Sequence, residues 1–160
     1  MKNSGFYDKD THAYITTNEY LRTSLGFMPK NCNRVLTVAA SGDHPLFCSL
    51  LGAKFVDTFD ISYNAKIIMD IKVAALKCLE YTEYTEMLEN LWWRNDALIV
   101  PHMDKVVKYL SNTEYEYLCS MRGFRLFNRG TWEGRESEHL PDDAEYKKLQ
   151  EIVKKPYNFI

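Results

Sequence analysis

The sequence lacks the features that mark several common classes of protein. Its 20 basic and 22 acidic residues are interspersed and leave a net charge of -2. Binding to nucleic acid relies on clustered Lys and Arg that displace counterions, so no nucleic-acid partner is expected, and an anionic membrane surface is disfavoured for the same reason. The four cysteines include no CxxC pair, which argues against a zinc knuckle.

Long apolar runs are also missing. The N-terminal MKNSGFYDKD has no apolar core of the kind found in a secretory signal, and no stretch is long enough to span a bilayer. We therefore expect a cytoplasmic protein with no integral membrane segment. The 160 residues are 46% apolar and 26% charged, which is typical of one globular domain over residues 1–160.

Two strands and two helices alternate in the first half of the chain. Residues 35–40 are an almost continuous apolar run between turn residues, which predicts a strand buried on both faces. Residues 44–51 cluster apolar side chains as a helix does, and residues 55–61 alternate as a second strand. Residues 67–79 repeat apolar side chains at helical spacing. This βαβα order predicts an α/β, Rossmann-like fold with a parallel sheet.

The second half of the chain is predicted to be mainly helical. Short helical patterns in residues 82–127 indicate a helical insertion, and residues 124–138 are predicted to be a polar, glycine-containing loop. A last helix starts at Asp142 or Asp143, and residues 156–160 resemble the start of a third strand. The predicted fold is thus an incomplete class I methyltransferase-type parallel sheet of about three strands with a helical insertion.

The loop after the first predicted strand is the first candidate site, because ligands bind beyond the carboxyl ends of parallel strands. Its small residues allow close backbone approach, and a glycine can take a positive φ. An acid here would repel a pyrophosphate but suits the ammonium and sulfonium charges of S-adenosyl-L-methionine. A strand–Gly–helix turn can also be purely structural. The candidate residues are Ala39, Ala40, Ser41, Gly42 and Asp43.

Asp60 closes the second predicted strand and is the second candidate. An acid at this position can accept both ribose hydroxyls of an adenosine, and Ile61 beside it is assigned to the same site. The alternative is a helix N-cap, a role for which Asp is also well suited. No pairing of a nucleophile with a base and no metal-ligand spacing is found, so the sequence assigns no catalytic residue and no metal.

Six segments together carry a family resemblance. They read VLTVAASGD (35–43), GAK (52–54), FDI (59–61), IKVAALK (71–77), LEYTEY (79–84) and LPDDAEYKKL (140–149). These segments resemble a bacterial family of largely unknown function with the class I S-adenosylmethionine-dependent methyltransferase-like fold. Its relatives include the diacylglycerol 3-amino-3-carboxypropyltransferases of betaine-lipid synthesis. The match is dense over residues 16–88 and looser afterwards.

The resemblance implies that the loop at residues 40–43 receives the methionine part of the cofactor and that Asp60 holds its ribose. This sequence departs from the family at His44 and Pro45. Family members also continue into a fourth strand, so we expect a C-terminally truncated chain. A shortened sheet would leave an apolar edge that self-association into a homo-oligomer could cover.

Two functions remain open at this stage. The first is an S-adenosyl-L-methionine-binding domain of a methyltransferase or 3-amino-3-carboxypropyltransferase, with the acceptor substrate unassigned. The second is a catalytically inactive or truncated binding module that keeps the Rossmann-like half-fold.

Overall fold

The protein is a mixed α/β structure in which helices predominate, according to a computed structural model that describes residues 17, 19–93, 96–119 and 140–154. A 3₁₀ turn spans Val107–Tyr109. The elements in chain order are α1 (Leu21–Ser24), β1 (Arg34–Val38), α2 (Asp43–Leu50), β2 (Phe55–Phe59), α3 (Tyr63–Cys78), α4 (Tyr81–Trp93), α5 (Asp96–Val106), α6 (Asn112–Cys119) and α7 (Asp143–Lys154).

The sheet of the described chain consists of β1 and β2, which pair in parallel. Arg34 lies opposite Phe55, and the register continues to Val38 opposite Phe59. The predicted βαβα order is therefore confirmed by β1, α2, β2 and α3. The predicted third strand, at residues 156–160, lies outside the described residues, and so does the loop predicted at residues 124–138.

The prediction that β1 is buried on both faces is wrong. Its inner face packs with Val56 and α2, where Val56 and Cys48 are fully buried. On the outer face Leu36 is 68% exposed and Phe59 of β2 is 58% exposed. An apolar run marks side chains that can be buried, but it carries no information on whether a second layer covers the other face.

The main core lies in the helical layer. The central helix α3 buries Ile67, Ile71 and Leu76 against neighbouring helices, and α7 adds Leu149. A buried tyrosine, Tyr146 of α7, donates its hydroxyl hydrogen to the Leu79 carbonyl oxygen at 2.8 Å. Among the described residues, the helices thus pack on one face of a small parallel sheet.

Helices α4, α5 and α6 occupy the region predicted as a helical insertion, as far as residue 119. Residues 120–127 of that prediction lie outside the described residues. Within the residues that are described, no helix has both the length and the hydropathy needed to cross a membrane.

Two glycines delimit α2 and adopt backbone conformations that other residues avoid. Gly42 is the N-cap with φ of +82°, and Gly52 follows the C-cap with φ of +99°. A Cβ on Gly42 would lie 3.0 Å from the Met69 Cα on α3, whereas a Cβ on Gly52 would approach nothing closer than 3.5 Å. A glycine is therefore required at position 42 for two reasons: the φ angle is positive, and α2 and α3 approach each other closely there.

This difference predicts unequal costs for two alanine substitutions. Gly52→Ala should lower the free energy of unfolding by about 1 kcal/mol through backbone strain. Gly42→Ala should lower the free energy of unfolding by about 1–2 kcal/mol more than Gly52→Ala does, because its Cβ would also press on the α3 backbone. Urea unfolding of both variants measures the difference, and equal losses would contradict the close-approach argument.

Candidate functional site

A cleft of about 570 Å³ opens at the carboxyl ends of the two strands. Its walls come from Ala39 after β1, residues 58–62 at the end of β2, the first two turns of α3, and Glu114 of α6. This is the edge of a parallel sheet where ligands usually bind, and the volume lies within the range of small-molecule pockets.

Asp60 joins the ends of both strands. Its Oδ2 accepts the Ala40 N–H at 2.9 Å, and its Oδ1 accepts the Ser62 N–H at 2.9 Å. The N-cap position of α3 is Ser62, so the carboxylate of Asp60 connects two loops and does not cap the helix. The side chain is exposed to the cleft, and each carboxylate oxygen retains a further lone pair for a ligand.

The loop between β1 and α2 turns tightly away from the sheet. Ala40 has φ of +45°, which is uncommon for a residue with a side chain. The Gly42 N–H donates to the Ala39 carbonyl oxygen at 2.7 Å, and Ser41 is fully buried. The loop is thus held from within, and the Ala40 N–H is fixed by Asp60.

Asp43 lies at the first turn of α2 and is paired with a buried lysine. Its Oδ1 accepts a hydrogen bond from Lys72 Nζ of α3, while its Oδ2 accepts from the Thr17 N–H and the Ser41 hydroxyl, each at 2.7 Å. The Lys72 side chain is completely buried. Burial lowers the pKa of Lys72, and the carboxylate of Asp43 acts in the opposite direction.

The pairing with Lys72 changes the charge that Asp43 can offer to a ligand. The negative charge that the sequence analysis matched to the ammonium and sulfonium groups of a cofactor is here compensated by Lys72. Because Lys72 stands among the apolar residues of α3, its charge is neutralised only by such a partner. The Lys72 signal is present in the sequence as a lysine between Ile71 and Ala74 of an apolar helix face.

The seven predicted site residues fall into two groups. Ala39, Asp60 and Ile61 line the cleft. The others belong to the loop beside it: Ala40 is joined to Asp60 by a hydrogen bond, and Ser41, Gly42 and Asp43 form the internal support of the loop.

A charged cluster on the far side of the cleft has no counterpart in the sequence analysis. Lys66 Nζ lies 2.5 Å from Asp70 Oδ2 and 2.7 Å from Glu114 Oε1. Burial raises the pKa of Asp70 to about 6, although Lys66 opposes the rise. The i,i+4 spacing of Lys66 and Asp70 is readable in the sequence, but Glu114 is 48 residues from Lys66.

No family model, curated protein or solved structure matches this chain. The family resemblance drawn from the sequence therefore remains a prediction, and the function has to be argued from the geometry of the cleft.

The buried Asp43–Lys72 pair generates a prediction for stability. Asp43→Asn should lower the free energy of unfolding by about 3–5 kcal/mol, because it leaves a buried ammonium without its counter-charge. Lys72→Met should lower the free energy of unfolding by a similar amount. The double variant should lose clearly less than the sum of both, as expected for groups in contact. Urea unfolding of the four proteins gives the coupling energy.

The exposed carboxylate of Asp143 on α7, which pairs with Lys147, provides the control. Asp143→Asn should leave the unfolding midpoint unchanged within error. Additive losses for Asp43→Asn and Lys72→Met would contradict a coupled pair.

Proposed function

We propose that the cleft binds S-adenosyl-L-methionine, and that the chain is the cofactor-binding domain of a methyltransferase or 3-amino-3-carboxypropyltransferase. The observation that carries the proposal is the position of Asp60. Its carboxylate lies in the cleft at the carboxyl end of a parallel strand and is oriented by two backbone N–H groups. A carboxylate held in this way can accept both hydroxyls of a ribose.

The surroundings of Asp60 support a nucleoside ligand. Phe59, Ile61 and Tyr63 line the same cleft and are partly exposed. Apolar and aromatic surface next to the Asp60 carboxylate matches the chemistry of an adenosine, which joins a flat ring to a diol.

In this proposal the β1–α2 loop receives the methionine part mainly through its backbone. The buried Asp43 supports the loop from within because it is bonded to Ser41, Thr17 and Lys72. When bound, the cofactor would supply an activated sulfonium carbon for transfer. The contribution of the protein would be to bind and orient, and positioning alone can supply much of the rate.

A non-catalytic binding module is the second candidate. The outer face of the sheet favours it: Leu36, Val38 and Phe59 remain partly or largely exposed there. Among the described residues, the sheet thus has a helical layer on one face only. Turnover separates the two candidates, since a module of this kind would bind the cofactor without transferring any part of it.

Calorimetry with S-adenosyl-L-methionine and S-adenosylhomocysteine tests the proposal. Asp60→Ala should weaken binding by about 1–3 kcal/mol, as expected when a charged hydrogen-bond acceptor is lost. Asp57→Ala is the matched control, because Asp57 lies on β2 three residues before Asp60, pairs with Arg34 and does not line the cleft. It should bind as the unmodified protein does.

Thermal unfolding of each variant shows whether Asp60→Ala also disturbs the two loops that Asp60 connects. Absence of both binding heat and thermal stabilisation with either ligand would overturn the cofactor proposal. Unchanged binding by a folded Asp60→Ala variant would overturn the ribose assignment alone.

A further inference from the structure

Helix α6 forms one wall of the cleft and is attached to the first turns of α3 by polar contacts. Glu114 pairs with Lys66, and the Tyr117 hydroxyl donates to Asn64 Oδ1 at 2.5 Å. The rings of Tyr117 and Tyr63 meet edge to face with centroids 4.8 Å apart. Glu114 and Tyr117 are three residues apart, so both lie on the side of α6 that faces α3.

The attachment of α6 differs from that of the other helices around the core. Helices α3, α4 and α7 each contribute fully buried side chains, whereas none of the described side chains of α6 is fully buried. Among the described side chains of α6, Tyr117 and Leu118 pack partly buried against the main core. Polar contacts to α3 therefore hold much of this helix, and elements with little fully buried apolar surface open at low free energy.

The strongest of these contacts is the cluster of Lys66, Asp70 and Glu114. One ammonium lies between two carboxyl groups that are only 21% and 15% exposed. Glu114 is held in place because its Oε2 accepts the Ser111 N–H at 2.8 Å, and this hydrogen bond lies at the start of α6. The charged groups that act on Asp70 are Lys66 of α3 and Glu114 of α6.

We propose that α6 is a movable wall of the cleft, latched to α3 by the Lys66–Asp70–Glu114 cluster while Asp70 is protonated and loosened when Asp70 ionises. A neutral Asp70 leaves one cation opposite one anion, and its hydroxyl can donate to Glu114. Ionisation places two carboxylates around one ammonium, and their repulsion acts directly between α3 and α6.

The sign of the pH dependence follows from the two carboxyl groups. Burial raises the pKa of Asp70 to about 6 in the closed structure, above its ordinary value. Burial would also raise the pKa of Glu114, but hydrogen bonds from Lys66 and Ser111 outweigh it and lower that pKa to about 2. Glu114 thus stays ionised near neutral pH. Closure is favoured at low pH and is lost as the pH rises through about 6.

The consequence for a ligand rests on the proposed function, since it concerns the same cleft. A nucleoside cofactor would enter more readily above pH 6 than below it. The opening of α6 itself can be measured without any ligand, so the latch and the cofactor proposal can fail independently.

Hydrogen exchange of a peptide covering α6, measured at pH 5 and pH 7 and corrected for intrinsic exchange rates, tests the latch. The opening equilibrium should increase roughly tenfold between these values. Asp70→Asn should remove the pH dependence and keep α6 protected, because its amide stays neutral and can still donate to Glu114. Glu114→Gln should leave α6 weakly protected at both pH values.

Asp143→Asn on α7 is the control and should retain the pH dependence of α6. Exchange of α7 in the same experiments reports global stability. No change in α6 protection between pH 5 and 7, or an unchanged pH dependence in a folded Asp70→Asn variant, would overturn the latch. If Asp70→Asn does not fold, strong α6 protection at both pH values in Glu114→Gln would overturn it equally.

Discussion

The buried ion pair between Asp43 and Lys72 is the constraint on which the rest of the site depends. It joins the first turn of α2 to the middle of α3, and the Thr17 N–H binds the same carboxylate. A fully buried ammonium is tolerated only when a counter-charge meets it in good geometry. The position of the β1–α2 loop relative to α3 is therefore fixed by electrostatics as well as by the close contact at Gly42.

From this anchor, a series of backbone contacts leads to the cleft. The supported loop presents the Ala40 N–H to Asp60, and Asp60 in turn binds the Ser62 N–H at the start of α3. These two hydrogen bonds thus connect the loop after β1 to the start of α3 across the floor of the cleft. The α6 wall is joined to α3 by the Lys66–Glu114 pair and by the Tyr117–Asn64 hydrogen bond, so the proposed latch would act on one side of the cleft only.

The sequence predicted those parts of this arrangement that depend on local pattern. An apolar run, an alternating segment and helical spacing predicted β1, α2, β2 and α3, and Gly42 was noted as a residue that can take a positive φ. The ion pair was not predicted, although Lys72 stands on an apolar helix face, because the pattern of one helix does not show which acid lies opposite it. The contact between Lys66 and Glu114 could not be predicted from the sequence, since it depends on how α6 packs beside α3 in space.

Of the two roles considered for Asp60, the helix cap is taken by Ser62, and the ribose ligand stays a prediction. A carboxylate has four lone-pair sites, and the two backbone N–H groups occupy only part of that capacity. Those bonds also restrict the side chain to one orientation before any ligand arrives, which reduces the entropy lost on binding. A residue that holds two loops together is therefore better prepared to receive a diol than a freely rotating acid would be, and this is the physical basis of the proposed ribose contact.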